Sequence, residues 1–267
     1  MVRFSGSAEP GCRSAGRVLN PDSAQRACRA RLSIVEETPE FILINKPGGL
    51  VCHPTKGDCY SSLIGRLRLY FEDSEAEPRF VHRLDRETSG LVLISKERPA
   101  HKLLCRELEA ARKEYLAVVH GRPDDSGTIE QPIGKAVGSE VAVKQAVVEG
   151  GKPSITEWEV LDSRGGYSLL RLRPVTGRMH QLRVHLQWLG HPIAGDKLYG
   201  PDETLYLEFT QHDWTPRLEQ NLPARRQLLS AIGLTTPSYR WSIPCPQDIA
   251  DFQDWVLPPS ARGGHEV

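Results

Sequence analysis

The sequence has no net charge, since 34 Lys and Arg balance 34 Asp and Glu. A histone-like coat is therefore excluded, and any polyanion must be met by local patches. No run approaches the roughly 20 apolar residues of a membrane helix, and the opening MVRFSGSAEPGCRSAGR lacks the hydrophobic centre of a secretory signal. A cytoplasmic protein without membrane contact is expected. The six cysteines, at positions 12, 28, 52, 59, 105 and 245, never fall in a CxxC spacing, so neither a zinc ribbon nor a redox pair is written here. Reduced thiols are expected rather than a disulfide framework. Internal repeats and low-complexity tracts are absent as well.

What remains is an ordinary globular composition, 39% hydrophobic over 267 residues, enough for one large domain with appendages at about 150 residues per domain. Residues 1–30 carry Arg3, Arg13, Arg17, Arg26 and Arg29 against Glu9 and Asp22 and read as an N-terminal extension. The folded part is expected over 31–256, with a fraying tail over 257–267.

Within it, LSIVEETPEFILINKPGGLVCHP gives two β-rich runs broken by Pro47, Gly48 and Gly49. SSLIGRLRLYF places Leu63, Leu67 and Tyr70 at helical spacing, and Leu104, Leu108 and Ala111 recur the same way after Pro99. KEYLAVVHG alternates as a strand with Tyr115, Ala117 and Val119 on one face, and ITEWEVL and YSLLRLR flank DSRGG as a hairpin whose turn type stays open. TGRMHQLRVHLQWLGHPI predicts a helix starting at Thr176 or Gly177 and stopping at Gly190, with Met179, Leu182, Leu186 and Leu189 as its buried stripe.

Chemistry concentrates in two places. His82, Arg83, Asp85, Arg86, Thr88 and Ser89 crowd one short loop between two apolar strands, where a scaffold displays functional groups, although a single Asp in a turn is usually a turn former. His180 and Arg183 form a polar stripe on the predicted helix, and Arg183 lies beside the apolar face, where a long cation needs a partner. Basic residues crowd 164–197 against Asp196 alone; that strip is a candidate polyanion track, although a charge run is usually a solvated face. His180 and His185, five apart, diverge by roughly 140° on a helix and cannot chelate together, so no metal is expected. His82 and His185 are expected to be packed, hydrogen-bonded histidines.

The block HRLDRETSG at 82–90 resembles the signature of the RluA-type pseudouridine synthases, and INKPGGLVCHP, KEYLAVVHG and GRMHQLRVHLQWLGHPIAGDKLYG match companion motifs in the same order. The resemblance spans about 32–255. It implies an α+β pseudouridine synthase-like catalytic domain: a mainly antiparallel, partly mixed sheet with flanking helices and a central active-site cleft. It also implies a cofactor-free isomerase acting on uridine in RNA, rRNA or tRNA with a preference for rRNA, and working as a monomer.

By the same resemblance, Asp85 is the essential carboxylate, acting at the sugar C1′ directly or through a glycal. Arg183 pairs with it, and Tyr115 stacks on the extruded uracil and takes the C5 proton. Arg83 fills the space that the base leaves; alternatively it contacts a phosphate. His82 joins the substrate-binding set, and Arg178, with Thr176 and Gly177 at a helix start, is a candidate phosphate site. Met179 and Ser230 depart from the family pattern, which commonly has a small hydroxyl residue and a His there. An S4-like RNA-binding domain of the kind some members carry is not expected, so recognition should rest on the catalytic domain. The rivals are a base-releasing hydrolase that uses Asp85 as nucleophile and an RNA-binding module without activity.

Overall fold

A computed structural model describes residues 32–54 and 61–255, with backbone alone for 253–255. The expected extension at 1–30 and tail at 257–267 lie outside the described residues.

Twelve strands alternate with six helices among the described residues. In chain order they are β1 (Ile34–Glu37), β2 (Phe41–Lys46), α1 (Leu63–Tyr70), β3 (Arg79–Phe80), β4 (Ser89–Ser95), α2 (Arg98–Glu109), β5 (Arg112–His120), β6 (Ser126–Glu130), β7 (Ile133–Lys135), β8 (Gln145–Val147), β9 (Ile155–Arg164), β10 (Tyr167–Pro174), α3 (Gln181–Trp188), α4 (Thr204–His212), α5 (Pro216–Asn221), β11 (Leu229–Thr235), β12 (Arg240–Ser242) and α6 (Gln247–Trp255). Ten of the strands form one sheet with the main order β1-β2-β4-β11-β5-β10-β9-β6. Every pairing in it is antiparallel except β4 with β11. The expected α+β architecture with a mainly antiparallel, partly mixed sheet is therefore present.

Burial explains the two strand patterns. β4 is buried at all seven positions, because helices cover both faces of this half of the sheet. Leu91 and Leu93 pack with Ala100 and Leu104 of α2, whereas Val92 and Ile94 pack with Leu63 and Leu67 of α1. A strand covered on both sides reads as a continuous apolar run rather than an alternation. The other half is built the same way. Ala117, Val119, Leu170 and Leu172 meet Leu182 and Leu186 of α3, while Leu116 and Val118 face Ile249 of α6. The β9–β10 hairpin turns on Gly165 and Gly166, at φ 54° and 84°, the two-residue geometry with both central residues at positive φ.

The seam between the halves is narrow. The parallel register comprises Ser230 opposite Ser89 and Ala231 opposite Gly90. Gly90 sits at φ 109°, and a Cβ there would lie 2.1 Å from the carbonyl oxygen of Ala231, so only glycine lets β11 close against β4.

One helix boundary differs from expectation. α3 begins at Gln181, not at Thr176 or Gly177, and His180 precedes it in the left-handed region at φ 56°. The cause is the Gln181 side chain: its Oε1 accepts from the Thr176 hydroxyl (2.8 Å) and the Arg178 N–H (3.0 Å), while its Nε2 donates to Ile155 O (2.9 Å). The Thr176 Oγ1 also accepts from Ile155 N. These bonds tie 176–180 to β9 as a strap, a local alternative to helix that Thr supports. Met179 thus lies outside the helix and is exposed rather than part of a buried stripe.

Gly90→Ala combines a steric clash with a forced positive φ, and should destabilise the fold by about 3 kcal/mol or more. Urea denaturation checks this; a midpoint equal to wild type would show that the seam tolerates a methyl group.

Candidate active site

His82, Arg83, Asp85, Tyr115, Arg178 and Arg183 all line one cleft of about 710 Å³. The chain brings them from the loop entering β4, from β5, from the strap and from α3.

Arg183 is the hub. Its side chain is almost wholly buried, and its guanidinium is divided between two acids. Nε and Nη2 donate to Asp196 Oδ2 (2.7 Å) and Oδ1 (3.0 Å), and Nη1 donates to Asp85 Oδ2 at 3.0 Å. Asp196 is fully buried and also accepts the N–H groups of Leu198 and Tyr199 at 2.9 and 3.0 Å. Burial opposes its charge, but Arg183 and these two donors outweigh that and hold its carboxyl below the ordinary aspartate value. Arg183 itself is pushed further toward its charged form: burial works against the cation, and Asp196 and then Asp85 more than compensate. The Tyr199 ring lies under the guanidinium, 4.8 Å from its centre, in cation–π geometry.

Asp85 differs from Asp196 in its freedom. About a third of its side chain is exposed. Oδ2 is pinned by Arg183, whereas Oδ1 accepts no hydrogen bond among the described residues. His180 stands nearby with Nε2 3.9 Å from Asp85 Oδ2. Burial and then Arg183 lower its pKa, so the ring is neutral. The Tyr199 hydroxyl accepts the Gln145 N–H (2.9 Å) and pairs with His180 Nδ1 (2.8 Å); with the hydroxyl as the donor of that pair, the imidazole proton lies on Nε2, toward Asp85.

The loop that carries Asp85 is held at both ends. Lys46, fully buried, donates from Nζ to Pro47 O, Leu50 O and Arg86 O at 2.9, 2.9 and 3.1 Å, and Gly49 N also donates to Arg86 O. With three carbonyls and no carboxylate bonded to it, Lys46 is pushed down to about 8 by burial. On the far side Lys197 Nζ binds Glu87 Oε1 at 2.7 Å, Arg226 Nη1 binds Glu87 O at 3.1 Å, and Gln227 Nε2 binds Thr88 Oγ1 at 2.6 Å.

Tyr115 is half-buried in the cleft wall, and burial together with the charge of Asp85 raises its pKa, so it stands as a phenol. His82 is a packed ring, as expected: Nε2 accepts the Leu93 N–H at 3.3 Å, and burial, with Lys113 adding to it, drives its pKa down to about 3. His185 is packed likewise between Thr156 Oγ1 and Gln131 O. Arg83 is exposed and has no carboxylate partner among the described residues. Arg178 is exposed and donates from Nε to Pro153 O. Its backbone N–H is already taken by Gln181 and precedes α3, so the phosphate site expected at a helix start at Thr176–Arg178 is not formed there.

The basic strip over 164–197 is also reduced. Arg171 and Arg173 both face Glu114 and Glu159 across strands, at 3.1 to 3.6 Å, and Arg164 pairs with Asp162. Counting charge along one segment misses partners supplied by neighbouring strands. The described residues hold no cluster of three or more His, Cys, Asp or Glu fit for a metal, and no helix among them is long and apolar enough to cross a membrane.

Sequence comparison matches residues 40–188 to the family model described as RNA pseudouridylate synthase. An uncharacterized RNA pseudouridine synthase of Chloroflexus aurantiacus is 40% identical over 217 residues, covering 77% of this chain and 63% of the relative. A ribosomal large subunit pseudouridine synthase D of Nitrosomonas europaea is 34% identical over 249 residues, covering 88% and 68%. The chain thus spans roughly two thirds of these relatives, and slightly less of the first. Among solved structures, human RNA pseudouridylate synthase domain containing 1 superposes with a TM-score of 0.62 at 29% identity, covering 81% of this chain and 83% of that one. Human RNA pseudouridylate synthase domain containing 4, at 22% identity, shares the fold with a TM-score of 0.69 over 88% and 97%.

Removing one partner of a buried ion pair strands the other, so Asp196→Ala should cost about 3–5 kcal/mol at neutral pH. Because the folded carboxyl of Asp196 lies below its unfolded value, its contribution is present above the ordinary aspartate range and is lost as pH falls through the folded value. The stability gap between wild type and Asp196→Asn should therefore narrow on acidification below about pH 4. Equilibrium urea unfolding across pH measures it, and a gap independent of pH would contradict the ionised pair.

Proposed function

The chain belongs to the RNA pseudouridylate synthase family, and from that premise we propose that it isomerises uridine to pseudouridine in RNA, with Asp85 as the catalytic carboxylate. The observation that carries this reading is the pairing at Asp85: one oxygen fixed by a buried arginine, the other unbonded in a cleft shared with Tyr115. The name of the Nitrosomonas relative supports large-subunit ribosomal RNA as the substrate class, and a monomer in the cytoplasm without a metal is the working form.

The steps balance without a cofactor. The N1–C1′ bond breaks as Asp85 acts at the ribose; the uracil turns; a C5–C1′ bond forms; C5 gives up its proton and N1 gains one. A carboxylate suits the first step because it remains ionised near an electron-poor C1′ as the base departs. Holding Oδ2 on Arg183 aims Oδ1 with little reorganisation during reaction. Neither face of a stacked uracil is reachable, so the nucleotide must leave the helix, which costs a few kcal/mol. On this reading Arg83, which has no carboxylate partner among the described residues, fills the gap or holds the adjoining phosphate, and His82 and Arg178, which line the same cleft, contact the extruded nucleotide.

Tyr115 gives the base a stacking face. As a phenol it is no standing base, and it takes the C5 proton only while giving up its own, so its hydroxyl acts in the later proton transfer rather than in cleavage.

Asp85→Asn should lower turnover by at least about a thousandfold while leaving folding and RNA affinity intact, measured by pseudouridine formation on ribosomal RNA fragments and by filter binding. The product should contain pseudouridine at unchanged mass; free uracil instead would identify a hydrolase, and wild type that binds without reacting would identify a binding module. Tyr115→Phe should keep affinity and lose about a hundredfold or more in kcat; unchanged kcat would reduce the residue to a platform.

A further inference from the structure

A second cleft of about 670 Å³ opens beside the active one and shares His53, His82 and Arg83 with it. Its wall is cationic. Arg68, on the last turn of α1, is exposed, and neither it nor Arg83 has a carboxylate partner among the described residues. Arg79 does pair with Glu77 at 2.8 Å, but that carboxylate is shared with Arg98, and Arg79 Nε is shut off from solvent with no acceptor among the described residues. Both free guanidiniums act on the same ring: burial first, then Arg83 and Arg68, lower the pKa of His53. His53, neutral and exposed, stands edge-on to Phe80 with centroids 5.0 Å apart. Convergent unpaired arginines around two aromatic rings are the combination that single-stranded nucleic acid uses, the cations for phosphate and the rings for bases. A volume of this size suits a nucleotide-sized ligand.

We propose that this cleft binds the unpaired nucleotide adjoining the target uridine, its phosphate between Arg83 and Arg68 and its base against the Phe80–His53 pair. The assignment rests on the RNA-directed reading above and names the part of the RNA that the chain grips outside the reacting nucleotide. Arg83, common to both clefts, then marks the phosphodiester joining the two nucleotides. The ligand is a single-stranded ribonucleotide step, so a target uridine in a loop or bulge is favoured over one in a continuous helix.

The test uses the full chain and a short single-stranded oligoribonucleotide with one uridine and photoreactive 5-iodocytidine on either side. Irradiation should cross-link one flanking base to the peptide holding His53 or Phe80. Arg68→Glu should bind the same RNA about tenfold more weakly, with the slope of log affinity against log salt reduced by about one, and Arg68→Lys should restore both. Cross-links confined to peptides outside this cleft, or wild-type affinity and salt slope in Arg68→Glu, would overturn the proposal. Both readouts concern unreacted RNA. A His53 or Phe80 cross-link in a protein that never isomerises uridine would uphold this site and sink the enzymatic reading alone.

Discussion

The arrangement of the cleft follows from one guanidinium shared unequally between two acids. A buried arginine with no counter-charge would carry a desolvation penalty of several kcal/mol. Asp196 removes that penalty with a bidentate pair, and is itself held by two backbone N–H groups. Only Nη1 is left for Asp85. Had both acids been equally buried, each would be consumed by the pair. Because Asp196 satisfies the structural need, Asp85 can keep a free oxygen and a share of solvent while still being aimed.

That inequality needs a fixed loop, and the chain supplies one from both sides. Lys46 and Gly49 draw in the carbonyl of Arg86, and Cys52 reaches Leu84 O at 3.4 Å. Lys197, Arg226 and Gln227 hold Glu87 and Thr88. Asp85 sits between the two sets of bonds. The loop around Asp85 is thus fixed by bonds to its neighbours from Lys46, Lys197, Arg226 and Gln227, a second support added to the direct contact from Arg183.

Local periodicity made much of this legible. Leu63, Leu67 and Leu104 placed two helices, the alternation in KEYLAVVHG placed β5, and the crowded loop at 82–90 put Asp85 where the cleft is. The failures share a cause, which is that contacts between distant segments are invisible in a window. Asp196 looked like a lone acid in a basic strip, although an acid next to the apolar run HPIAG is a sign of a buried partner. Arg171 and Arg173 looked like free cations until β5 and β9 brought Glu114 and Glu159 beside them. The start of α3 was misplaced because a glutamine side chain, not a backbone propensity, decides it.

The position of β11 in the sheet bears on how the molecule comes into being. Although β4 and β5 are separated in sequence only by α2, β11, more than a hundred residues downstream, lies between them. During synthesis, the two strands flanking the future cleft must each wait with an open edge until residues 229–235 leave the ribosome. Such edges invite wrong pairing, and closing so long a loop is slow. Asp85 and Tyr115 therefore reach their final spacing only late in biogenesis, and a nascent chain stalled before β11 would present chaperones with two strands paired on one side and open on the other.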